Sequence, residues 1–131
     1  MNAIIYITTL LTLAVIDSVW LFSMGSKYKT WLGHLFADSV NFYPAIIFYL
    51  IYTFGLVFFV ISPAMKQGTS LLNTFLYGAL FGLVAYATYD LTNHATLRDW
   101  PLHVTLLDMA WGALLTGATS VFVVYIINYF K

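Results

Sequence analysis

Three aspartates stand inside long apolar runs: Asp17 in LAVIDSVWLF, Asp90 in VAYATYDLTN and Asp108 in VTLLDMAWG. A carboxylate at the middle of a membrane helix costs about 2.5–3.5 kcal/mol on insertion scales, so such residues mark function before anything else does. Carboxylates held near one another repel, and they are balanced either by retained protons or by a bound cation. The same groups serve as general acid and base or as ligands for a hard cation. Between Asp90 and Asp108 lies a short polar turn with His94, Arg98, Asp99 and His103, of which Arg98 is the one fixed cation. Tyr49, Tyr52, Tyr86, Tyr89 and Asn93 add neutral hydrogen-bonding groups if their faces turn inward.

Composition says what kind of element must carry these groups. Of 131 residues, 62% are hydrophobic and only 8% charged, and the mean hydropathy is +0.88. A soluble domain has roughly 25% charged residues, so the chain reads as an all-α integral membrane protein. Spans of roughly 20 residues fit at about 3–24, 43–64, 71–93 and 101–129, in one transmembrane domain covering 1–131. The first apolar run lacks a basic leader and is too long for a signal peptide, so it reads as a retained span. Between spans one and two, Trp31, Leu32, Leu35, Phe36 and Val40 recur at helical spacing, which predicts a short helix lying in the interface. Pro44 and Pro63 sit near the two ends of span two, and Asp99 is placed to cap span four ahead of Pro101. Gly78, Gly82, Tyr86 and Asp90 follow one another at i, i+4 and predict a face of span three that approaches a neighbour closely.

Alternating span directions put the links after spans one and three on one membrane face. Asp17, Asp90 and Asp108 then lie roughly 5–12 Å below that face at 1.5 Å per residue. All three histidines are on the same side. Lys27, Lys29 and Arg98 mark this face, and Lys66, Lys131 and the amino terminus mark the other, so the basic residues assign neither to the cytoplasm. Formal net charge is zero, with no basic face for nucleic acid. Cysteine is absent, which excludes disulfides, thiolate catalysis and sulfur-held metals. No metalloprotease, serine-hydrolase, phosphate-loop or dinucleotide motif is present, and no cofactor or resident metal is expected. An oxygen-rich cage of Asp17, Asp90, Asp108 and a histidine is only weakly supported by the spacing.

Each group also has a plainer role. Asp17 and Asp108 can serve as polar glue between helices. Trp20, Trp100, Trp111, Tyr28 and Tyr43 fit an interfacial aromatic belt, and His34 fits the interface as well. Gly78 and Gly82 read as packing residues.

YATYDLTN, ATL, WP and D-x-x-W-G, with an earlier D-x-x-W-L and F-Y-x-x-Y-x-x-G, together resemble the bacterial membrane family called domain of unknown function 2177. The resemblance covers nearly the whole chain and implies a small four-span protein of the bacterial inner membrane. It implies no particular activity, and it leaves His94 and His103 outside the pattern. The candidate ligand-binding residues are therefore Asp17, Asp90, Asn93, Asp108, Tyr86, Tyr89, Tyr49, Tyr52 and Trp111. The expected protein binds a cation, an amine or a lipid headgroup, with proton-coupled transport as its activity. The other readings are a lipid-modifying enzyme using Asp90 and Asp108, or an accessory subunit whose polar groups only lock helices. Membrane lipids are its expected partners, with room for a second copy or a partner subunit.

Overall fold

The structure, a computed structural model, describes residues 2–131. Four long helices account for nearly all of them: α1 (Ala3–Leu32), α2 (Phe42–Gln67), α3 (Leu71–Thr96) and α4 (Leu102–Tyr129). Each is long and apolar enough to cross a bilayer. Large apolar side chains point outward along all four, Phe22 being 91% exposed, as a lipid solvent requires.

Local chemistry sets the ends. Asn2, Asn41 and Ser70 each turn a side-chain oxygen onto a first-turn backbone N–H of α1, α2 and α3. Gly68 ends α2 in the left-handed conformation (φ 63°), with its N–H and that of Thr69 both returning to the Ala64 carbonyl. That turn makes α2 and α3 successive antiparallel elements, as the Lys66–Ser70 link suggests.

Three local expectations are corrected. The segment over 31–40 is not a separate interfacial helix. With no proline to break it, α1 runs on through Gly25 and Ser26 to Leu32, closes in a 3-10 turn at Gly33–Leu35, and leaves the chain non-helical up to Asn41. At 1.5 Å per residue this 30-residue helix is about 45 Å long, well beyond the roughly 30 Å hydrocarbon core. Pro63 does not close α2 either. The helix widens into a π turn over Val57–Ile61, where the Ser62 N–H reaches back to Val57 O, and this absorbs a proline that would otherwise strike the preceding turn. Finally, Asp99 does not cap α4. It adopts φ 60° in the reversing link, and Pro101 occupies the cap position without a side-chain bond.

The tightest seam joins α3 to α4. Gly78 and Gly82 on α3 and Gly112 and Gly117 on α4 are placed where a side chain would collide with the opposite helix. A Cβ on Gly78 would come within 2.9 Å of the Thr116 carbonyl, and one on Gly82 would run into the Gly112 carbonyl. The expected glycine row therefore does face a neighbour, and the register pairs Gly82 with Gly112 and Thr116. α1 packs on α4 through Leu13 and Leu115, joined by Tyr52 from α2. Leu56, Val57, Ile61, Val123 and Val124 fill the end near the termini. Leu32, Trp100 and Val104 close the opposite end, where the links after α1 and α3 lie.

Candidate functional site

The antiparallel α3–α4 register that sets Gly82 against Gly112 brings the last turn of α3 beside the first turns of α4. His94 Nδ1 meets the Thr105 hydroxyl at 3.1 Å, and Asp90 falls opposite Asp108. Asp90 is fully buried, and among the described residues no donor side chain reaches either of its carboxylate oxygens, its neighbour being the Asp108 carboxylate. A charge left so is costly in a low-dielectric interior. Asp108 is half buried and accepts a 2.7 Å bond from the Tyr28 hydroxyl of α1.

Asp17 forms a second centre. It is buried, and it accepts from the Tyr49 hydroxyl of α2 and from Trp111 Nε1 of α4 at 3.0 Å. One carboxylate thus ties three helices, with both oxygens occupied by neutral donors. Because α1 continues to Leu32, Asp17 lies about four turns from that helix end. Among the described residues no group of three or more His, Cys, Asp or Glu side chains gathers where it could hold a metal ion. The oxygen-rich cage weighed from the sequence does not assemble.

A cavity of about 340 Å³ joins the two centres. Its α1 wall carries Asp17, Trp20, Gly25, Tyr28 and Leu32, and its opposite wall carries Tyr86, Tyr89, Trp100, Val104, Asp108 and Trp111. Phe36, in the link after α1, stands at its edge. A second cavity of about 370 Å³ lies between α2 and α3, lined by Phe48, Tyr52, Ala85, Tyr86, Tyr89 and Asp108. Tyr86, Tyr89 and Asp108 border both. Tyr86 can stand there because Gly112 has no side chain, its ring filling the space a Cβ would need. Tyr52 shares a 2.7 Å hydrogen bond with the Thr116 hydroxyl at the floor of this region.

Of the nine candidate residues, six border one or both cavities, and Asp90 stands behind Asp108 without bordering either. Tyr49 reaches the site through Asp17, and Asn93 is half buried near the end of α3, away from both cavity walls. Arg98 is exposed on the link, and His103 packs edge-on to Trp31 with ring centroids 4.6 Å apart. Neither histidine bonds a carboxylate.

The aromatic-belt reading is corrected for four residues. Trp20 stacks on Trp111, with ring centroids 4.4 Å apart and planes within 6°. Tyr28 holds Asp108, and Trp100 is buried with its Nε1 on the Thr105 hydroxyl. Only Tyr43, at 79% exposure, stays on the lipid side. The spacing of Asp17, Trp20, Leu21, Tyr28 and Leu32 carried the signal, since these residues share one face if the helix does not stop at Met24.

Fold and surface together define a multi-pass helical membrane protein. Residues 2–125 match the family model described as "Predicted membrane protein (DUF2177)", and the chain belongs to that family. No curated protein and no solved structure matches it.

Proposed function

We propose that this protein binds a cationic group at a carboxylate-lined pocket near one membrane face, and that binding is coupled to a proton. The observation that carries this reading is Asp90, fully buried, reached by no donor side chain among the described residues, and opposite the Asp108 carboxylate. Two facing carboxylates served only by the neutral Tyr28 hydroxyl are balanced by a shared proton or by an incoming positive charge. Exchange of one for the other couples proton movement to cation binding. The cavity meets the link after α1 at Phe36, so the ligand enters from that face.

Asp17 supports a different role. Its oxygens are already occupied by donors from α2 and α4, so it acts as interhelical glue and leaves Asp90 and Asp108 as the exchanging pair. Residence in a bacterial inner membrane belongs to the same proposal and rests on the family resemblance.

The test is reconstitution in liposomes under an imposed pH gradient, with uptake of methylammonium and of inorganic cations followed directly. Wild-type protein should drive uptake that disappears in Asp108→Asn. Absence of both binding and uptake for every cation tried would refute the proposal and favour an accessory role.

A further inference from the structure

Resting on the cation-site reading, we infer that the ligand is an organic ammonium and that its head sits in an aromatic cage built from Trp20, Tyr28, Tyr89 and Trp111 against Asp108. The walls supply the first argument. Trp20 and Trp111 stack face to face, so each covers one face of the other and keeps only its outer face for a cation. Tyr28 meets Trp20 edge-on at 6.3 Å, while Tyr89 is held against Trp100 at 5.9 Å. All of these rings border the cavity of about 340 Å³, and Asp108 borders it too. A cation over the face of tryptophan or tyrosine within about 6 Å is attracted by the ring quadrupole, most strongly once desolvated.

The oxygen inventory supplies the second. A bare divalent ion asks for about six or more oxygen ligands. This cavity offers as anionic oxygens only the carboxylates of Asp17 and Asp108, beside the neutral hydroxyls of Tyr28, Tyr86 and Tyr89. Asp17 already accepts from Tyr49 and Trp111, and Asp108 from Tyr28. An ammonium carrying alkyl groups needs one strong acceptor and apolar surface elsewhere, which is what the lining provides. Size agrees, since about 340 Å³ is far more than the roughly 30 Å³ share of one water.

Asp90 has a distinct part. It does not border the cavity, so it acts behind Asp108 as a second negative charge and a proton partner rather than as a ligand contact. The head itself has two possible sources, a free amine in solution or the headgroup of an aminolipid, and both present the same chemistry.

The experiment is a binding titration of the full chain by calorimetry, using tetramethylammonium, ethylammonium, potassium and magnesium at matched ionic strength. It is run in detergent free of aminolipid and in nanodiscs of phosphatidylethanolamine or phosphatidylglycerol. Saturable binding of the ammonium ions, well above that of potassium and magnesium, is expected. Trp20→Leu should weaken tetramethylammonium binding about 2- to 30-fold, the range a single cation–π contact spans, and leave potassium unchanged. Tyr89→Leu, at a half-exposed position off the indole stack, should act in the same direction and serves if Trp20→Leu unfolds. Weaker binding in phosphatidylethanolamine than in phosphatidylglycerol identifies the lipid headgroup as the source, and equal binding identifies a free amine. Equal affinity for potassium and tetramethylammonium, with both variants indifferent, overturns the ammonium inference while the cation site stands. No saturable binding of any ion overturns both.

Discussion

Gly82→Ala should be among the most damaging single methyl additions this chain can receive. The new Cβ would run into the Gly112 carbonyl and lie 2.7 Å from Thr116 Cβ. The carbonyl is backbone and cannot rotate away, so α3 and α4 have to separate. Opening a packed contact by 0.5–1 Å forfeits a quarter to a half of its dispersion well. Between membrane helices, packing rather than water exclusion holds the pair together. Overpacking of this kind costs about 1–3 kcal/mol, and a rigid obstacle argues for about 3 kcal/mol here. Gly25→Ala is the internal control. Nothing lies within 4 Å of that position, so replacing a helical glycine should stabilise by about 0.5–1 kcal/mol. Reversible unfolding in mixed micelles, followed by far-ultraviolet circular dichroism, measures both. A Gly82→Ala protein as stable as wild type, or a Gly25→Ala protein equally damaged, would refute the seam.

Opposite signs are expected at two aspartates. Asp90→Asn removes a buried, unpartnered ionisable group and should raise stability by about 1–3 kcal/mol while abolishing cation binding, whereas Asp17→Asn disturbs two hydrogen bonds and should lower it by about 1–2 kcal/mol. Melts of the two variants side by side decide this, and a shared sign would merge two roles kept apart here. Tyr28→Phe removes the hydroxyl on Asp108 but keeps the ring, so ammonium binding should persist with an altered pH profile, read by repeating the titration across pH. Topology can be read because the chain has no cysteine. Single cysteines at Arg98 and Phe36 should react with an impermeant maleimide from one side, and those at Gln67 and Lys131 from the other.

Helix count and the close face of α3 were legible because their signals are local. Apolar length marks a span, and Gly78 with Gly82 at i, i+4 marks a seam. The pairing of Asp90 with Asp108 was reachable as well, since a tight antiparallel link after α3 sets the register. What the sequence concealed came from one boundary. Ending span one at Met24 moved Leu32 to an interfacial helix and Tyr28 to an aromatic belt, away from the face they share with Asp17. A helix end in this stretch leaves little trace, because Gly25 and Ser26 weaken a helix without stopping it, and the stop at Gly33 comes from a 3-10 turn. The tryptophans misled for another reason. An indole such as Trp20, Trp100 or Trp111 suits an interfacial belt by its chemistry, and only the partner across the bundle decides whether it faces lipid or a neighbour. Asp17 and Asp90 are alike in sequence context, and their difference is tertiary. Tyr49 and Trp111 arrive at one, and no donor arrives at the other.

The most direct test of the exchanging pair is a difference infrared spectrum of the protein with tetramethylammonium minus the protein without it. Carboxylic-acid and carboxylate stretches report aspartate protonation inside the bundle without a label. The expected result is loss of an acid band and gain of a carboxylate band on cation binding, both missing in Asp90→Asn and in Asp108→Asn. An unchanged carboxyl region in a sample that binds the cation saturably, or the same bands persisting in both variants, would contradict proton-for-cation exchange at Asp90 and Asp108.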